Sequence, residues 1–234
     1  MAKEHLELIQ SIIGVEEYEK NKKLQPPTPK ELAKRPLVTV SRSYGANGTD
    51  IARRLAKELE VPLYDGELLK AVVKEAKEDK FLLEALDERA TSLMDDLLHG
   101  FFSKKSTTKS AFFRYMGKVI LSISAQGGVI VGRGAHLLIP ENRPVLRVRL
   151  EGSDEVCIKR LAKRLDIKKS EAARRMRQVN EERAEFVKTV FKKHPTNQLQ
   201  FDLILNTDTF DEAAAVKVIL AAAKQVGLVV PKSK

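Results

Sequence analysis

The sequence predicts a three-layer α/β domain wound around a parallel sheet, and three observations carry that expectation. Short β-prone runs alternate with amphipathic helical stretches along most of the 234 residues. One run, Val129–Ile130–Val131, is wholly apolar, as befits a strand covered on both faces. The stretch from Pro36 to Leu63, PLVTVSRSYGANGTDIARRLAKELEVPL, reads as strand, glycine turn and helix, the unit from which such sheets are built.

Each element follows from local pattern. Residues 3–23 read as a helix with Leu6, Ile9, Ile12 and Ile13 on one face. The PPTP run at 26–29 stops it. Residues 1–35 are therefore set apart as an arm that packs on the core or mediates self-association, leaving 36–234 as the main domain. Leu37, Val38 and Val40 form the first strand. Ile51, Leu55 and Leu59, spaced by four, form the apolar stripe of the first domain helix. Val61–Asp65 is a short second strand. Residues 66–98 are helical in pattern, 99–109 a loop, and Ser110–Gln126 a long helix ended by Gly127–Gly128. The apolar strand at 129–131 runs into Gly132–Arg133–Gly134. Val145–Leu150 is another strand. Ser153 caps the next helix, with Asp154 and Glu155 in its first turn. A basic helix starts near Ser170, His194–Gln200 is a loop, and Phe201–Asn206 is the last strand. Asp208 or Thr209 caps a final helix that Gly227 ends.

Ser41–Thr49 is the chemically suggestive segment. A strand that enters a helix through glycines offers phosphate its backbone N–H groups and the positive end of the helix dipole. Laid on the pattern G-x-x-x-x-G-K-[ST], Arg42 and Asn47 fill the glycine slots, Gly48 the lysine slot and Thr49 the hydroxyl slot. The segment is P-loop-like without the usual cation. Two readings stand for Arg42: a bidentate phosphate grip in place of the lysine, or a surface salt bridge. Thr49 is either a Mg²⁺ ligand or the helix N-cap. Arg42, Asp65 and Arg133 each follow a strand, where open parallel sheets bind ligands.

Composition narrows the partners. Net charge is +10, which draws anions such as nucleotides. Aromatic residues are only 6% and none interleave with the basic runs, which argues against nucleic acid. No apolar run approaches the roughly 20 residues that span a bilayer. One cysteine, Cys157, excludes an internal disulfide, and with no signal-peptide pattern a cytoplasmic location is expected. No Cys/His cluster has zinc spacing. His136 reads as a packing or capping residue.

VTVSRSYGANGTDIARRLAKEL with PLYDGELL, then GGVIVGRGAHLLI, VRLEGSDEVCIKRL, SEAARRMRQVNEERAEF and FDLILNT resemble, in this order, the cytidylate kinase-like family. These are relatives of the P-loop nucleoside monophosphate kinases. The resemblance covers about 36–225 and implies a P-loop fold with an NMP-binding insertion at about 65–118 and a mobile lid at about 163–195. It implies ATP as donor, Mg²⁺ as its counterion and CMP or dCMP as acceptor. Gly45, Ala46, Asn47, Gly48 and Thr49 would hold donor phosphates, with Thr49 on the metal. Asp65 and Arg133 would hold the acceptor, while Arg42, Arg160 and Arg183 would neutralise the migrating group. The chain departs from true cytidylate kinases at Gly48, where they have lysine, and at Gly134, where they have aspartate. The alternative expectation is a nucleotide-binding protein without turnover.

Overall fold

A computed structural model describes residues 29–66, 108–195 and 197–231. The expected arm helix over 3–23, nearly all of the helical stretch over 66–98, and most of the loop over 99–109 lie outside these residues. So does most of the NMP-binding insertion.

A short helix, α1 (Pro29–Ala33), precedes β1 (Leu37–Arg42). The glycine turn leads into α2 (Gly48–Glu58), and β2 (Leu63–Tyr64) follows. Then come α3 (Thr108–Gln126), β3 (Gly128–Val131), a single turn α4 (Ala135–Leu138) and β4 (Leu146–Glu151). The chain closes with α5 (Asp154–Leu165), α6 (Lys169–Phe191), β5 (Leu203–Asn206) and α7 (Glu212–Gln225).

The five strands pair in parallel in the order β2-β3-β1-β4-β5. β1 lies at the centre, with Val38 opposite both Val129 and Leu146 and Val40 opposite Val131 and Val148. Residues 37–40 are buried on both faces, which is why this strand carries an unbroken LVTV. Alternation divides the core. Leu37 and Ile130 join Ile120, Ile123 and Leu138 of α3 and α4. Val38, Val40, Val129 and Val131 join Ile51 and Leu55 of α2 with Val216 and Ile219 of α7. Burying each such Ile, Leu or Val side chain contributes about 1.5–3 kcal/mol, so the two layers fix the register of the sheet. The two neighbours of β1 are reached by excursions in opposite directions. The crevice beyond the carboxyl ends of β3, β1 and β4 is thus the topological switch point.

Arg143 staples the opposite end of this architecture. It is buried, and its Nε donates to Ser124 O at 2.6 Å, Nη1 to Pro144 O at 2.8 Å and Nη2 to Arg35 O at 2.6 Å. Desolvation, with help from Arg35, pulls its pKa down to about 10. One guanidinium thereby joins the end of α3, the entry to β1 and the entry to β4.

Several boundaries differ from the sequence expectation. The N-cap of α2 is Asn47, held in the left-handed region at φ 51°, and Thr49 lies inside the first turn, so Thr49 is not the cap. The C-terminal helix is capped by Asp211, whose carboxylate accepts from Ala214 N, and not by Asp208 or Thr209. Asp208 accepts from Ser153 N at 2.9 Å and steadies the start of α5. Ser153 does cap α5, accepting from Val156 N. The turn α4 falls within a stretch too short to show periodicity.

Candidate functional site

The switch-point crevice is a cavity of about 320 Å³, lined by Arg42, Arg133, Arg149 and Arg183 together with His136, Phe186, Val187, Pro195 and Phe201. The arginines suit negative charge, and the rings and aliphatic side chains offer apolar surface.

Three of the arginines come from adjacent strands. Arg42 ends β1, Arg133 follows β3, and Arg149 lies on β4. Arg183 reaches in from α6 and donates Nη1 to Arg42 O at 2.9 Å. Arg133 sits between Gly132 and Gly134, all three with positive φ of 76°, 58° and 69°. A non-glycine residue in that conformation costs about 1–3 kcal/mol and persists where the surroundings impose it. The turn aims the Arg133 guanidinium toward Gly66, to whose carbonyl Nη2 donates at 3.3 Å. Arg149 Nε donates to Glu151 Oε1 at 3.0 Å, and its centre lies 5.9 Å from the Phe201 ring.

Arg42 is the electrostatic centre of the group. Burial first, and then Arg183, Arg133 and Arg149, push its pKa down to about 9, with Asp65 acting the other way. Its guanidinium has no hydrogen-bond acceptor among the described residues. A largely dry guanidinium among three others, without a protein acceptor, is a demand for an anion. Burial also lowers Arg133, opposed by Asp65, and lowers Arg183, with Arg149 adding to the shift.

His136 stacks on Phe201 with ring centroids 4.7 Å apart. Desolvation is the main cause that lowers its pKa to about 4, with Arg149 and Arg147 adding to the shift and Gln200 opposing it. The imidazole is therefore neutral near pH 7, and its packing role agrees with the sequence reading.

The loop 45–49 is packed differently from an open phosphate cradle. Ala46 is fully buried in a cluster with Cys157, Leu161, Ala172 and Met176. A Cβ on Gly45 would meet Cys157 at 2.8 Å. The side-chain oxygen of Asn180 accepts from Tyr44 N at 2.9 Å, and the Arg183 and Arg164 guanidiniums lie 5.6 and 5.9 Å from the Tyr44 ring. The segment expected as a lid thus includes a helix seated on the loop. Thr49 would be a single hydroxyl ligand beside Asp50, which already pairs with Arg53 at 2.8 Å. No group of three or more His, Cys, Asp or Glu side chains converges among the described residues. Such a donor set fits Mg²⁺ only as an ion carried chiefly by nucleotide phosphates and water.

The two missing charges have a steric explanation. A Cβ on Gly48 would lie 2.7 Å from Cβ and Cγ of Arg42, so the stem of Arg42 fills the space a lysine would leave by. A Cβ on Gly134 would strike the ring of Phe191, the last residue of α6. Gly48→Lys alone is accordingly expected to weaken phosphate binding and lower the melting temperature by several degrees, about 1–3 kcal/mol of overpacking. Adding Arg42→Ala to it removes the Cγ contact but keeps the Cβ one, so it should recover the melting temperature only in part, and Arg42→Gly further. Calorimetry and thermal unfolding of the single and double variants check this.

The sequence-derived residues are thus partly gathered. Arg42, Arg133 and Arg183 share the cavity, with Asp65 close enough to oppose the shifts of two of them. Arg160 is elsewhere: both its arms are engaged by Thr207, Nη1 on Oγ1 at 3.1 Å and Nη2 on the carbonyl at 2.6 Å. Arg149 went unnoticed, because in VLRVRL it lies within a strand and not at the turn that follows one.

Among the described residues no helix is long and apolar enough to cross a membrane. A crystal structure of an uncharacterized protein from Eubacterium ventriosum superposes with a TM-score of 0.64 at 16% identity, covering 81% of this chain and 99% of that one. Shikimate kinase from Bacteroides thetaiotaomicron gives 0.43 at 17% identity, over 82% of this chain and 95% of that one. No curated protein matches the chain. The α/β P-loop fold expected from the sequence is the fold observed. The model of the cytidylate kinase-like family matches residues 37–209, from the first residue of β1 to just beyond β5, and so spans every strand and all four cavity arginines: the chain belongs to the cytidylate kinase-like family.

Proposed function

We propose that this protein is an ATP-dependent nucleoside monophosphate kinase whose acceptor, CMP or dCMP, lies in the arginine-lined cavity. The guanidinium of Arg42, which has no hydrogen-bond acceptor among the described residues and shares the cavity with Arg133, Arg149 and Arg183, is the observation that carries the reading. The acceptor phosphate would rest on Arg133 and Arg42, with its base against Phe201 and Phe186. Asp65 would orient the acceptor from the end of β2. One acceptor phosphate oxygen would attack the terminal phosphorus of ATP, the bond from that phosphorus to its bridging oxygen would break, and ADP would leave. Arg183 and Arg42 would neutralise charge on the migrating group, and bound Mg²⁺ would supply further neutralisation. No covalent intermediate is needed, since such catalysis is positioning plus charge stabilisation.

The packing of the loop favours a second reading, a nucleotide-binding protein without turnover: Asn180 accepts from Tyr44 N, and Ala46 is buried against α5 and α6. A coupled ADP-release assay across all NMPs and dNMPs with ATP and Mg²⁺ separates the two. Release with one cytidine acceptor well above the others supports the kinase. Tight nucleotide binding with no ADP above background leaves the binding reading in its place.

A further inference from the structure

We infer that the groove between α2 and α7 is the seat of this chain's own N-terminal arm, with residues 4–19 laid along it as a helix whose glutamates meet the groove's lysines. The arginine cavity plays no part in this contact. Of the two fates that the sequence leaves to the arm, packing on its own core or on a second copy, the groove selects the first.

The groove, of about 430 Å³, lies outside the helical layer of α2 and α7, on the face of the sheet away from α3. Arg54 and Glu58, one turn apart on α2, line one wall. Ala213, Lys217, Leu220 and Lys224 of α7 line the other and recur at helical spacing, so they form one continuous row. Half-buried Leu220 and exposed Ala221 give that row an apolar middle with a lysine on either side. Small side chains such as Ala213 and Ala221 let a third helix come close. Exposed Val226 and Val229 carry the apolar surface past the end of α7.

Attachment, length and charge name the occupant. Ala33 O, at the end of α1, accepts from Val229 N at 3.1 Å, so the arm joins the core a few residues from Lys224. A tethered segment meets a neighbouring groove at an effective concentration of about millimolar, far above that of another copy. The 14 residues of α7 span about 21 Å, and residues 4–19 as a helix about 24 Å. Residues 24–28, up to about 17 Å when extended, link one to the other. Residues 4–19 hold Glu4, Glu7, Glu16, Glu17 and Glu19 and no lysine or arginine, in a chain of net charge +10. The groove answers with Arg54, Lys217 and Lys224 against Glu58. Arg54 is also 3.9 Å from Glu212, which leaves the two lysines as the chief partners. Leu6, Ile9 and Ile13 supply the apolar face. With Gly14 in its middle such a helix is marginal alone, and covering that face stabilises it. The point of attachment sets the direction: Glu16–Glu19 near Lys224 and Glu7 near Lys217.

The full chain is tested first without substitution. A carbodiimide joins carboxylates and lysines that touch, and mass spectrometry of the digest reads the links. Links from Glu16, Glu17 or Glu19 to Lys224, and from Glu7 to Lys217, are expected. An equal mixture of unlabelled and isotope-labelled chains tells one chain from two. Links within a single label support the inference. Links of mixed label place the arm on a second copy and overturn it, as does the absence of any link between residues 4–19 and α7.

Hydrogen exchange gives the second readout. Amides of residues 6–15 should exchange at least about tenfold more slowly in the full chain than in a free peptide of the same sequence. Lys217→Glu with Lys224→Glu turns two attractions into repulsions and should speed that exchange about tenfold. Lys57→Glu with Lys188→Glu makes the same change in net charge at exposed lysines that do not line the groove, and should move it less than about twofold. Equal effects of the two pairs, or unprotected arm amides in the unsubstituted chain, overturn the inference. Retained protection of the β1 amides shows that each variant is folded. Should the groove variant not fold, the links in the unsubstituted chain decide.

Discussion

Replacing Arg183 with alanine is expected to lower turnover by about 10²–10³ while changing ATP affinity little. The side chain enters the cavity from α6, and burial and Arg149 already disfavour its charge. Charge held at such cost is best repaid where negative charge grows, in the transition state. Its Nη1 also supports the backbone of Arg42, so Arg183→Lys separates the two duties. Lysine keeps the charge and loses the fork, and should recover part of the turnover. Steady-state ADP release with the preferred acceptor, beside calorimetric ATP affinity, makes the comparison. Full turnover in a folded Arg183→Ala protein would remove Arg183 from the chemistry.

Arg143→Ala should carry the largest stability penalty of any single arginine in the described core, about 3–5 kcal/mol. Three carbonyls, a buried one on Ser124 and part-buried ones on Pro144 and Arg35, lose a charged donor together. Leucine in its place fills the volume but leaves the same acceptors unmet, so it should recover little. Urea unfolding monitored by circular dichroism measures the change at constant slope. A cost below about 1 kcal/mol would mean that water replaces the guanidinium without penalty.

Most of the sheet was legible because its signals are local. LVTV and VIV carry the burial of strands covered on two faces, and Ile51 and Leu55 carry the helical period between them. The GRG corner was legible too, since glycines on both sides of an arginine mark a backbone that left-handed geometry requires. The cavity was legible only in part. Arg42 and Arg133 follow strands, and that placement suffices to bring them together. Arg149 sits within an alternating strand whose face cannot be told from spacing. Arg160 shows the opposite failure: a basic helix position suggested a phosphate, whereas the fold brings Thr207 to it from 47 residues away. The glycines at 48 and 134 looked like lost groups, because nothing in sequence tells which side chain has moved into the space.

Those two spaces bear on which substitutions the chain accepts. Gly48 is wedged against Arg42, and Gly134 against Phe191, which is itself buried and set edge-on to Phe186. Lysine at 48 or aspartate at 134 would need its neighbour to shrink in the same step, since either change alone is overpacked. The two positions in each pair therefore move together or not at all, and a charge is not installed at either glycine by one substitution.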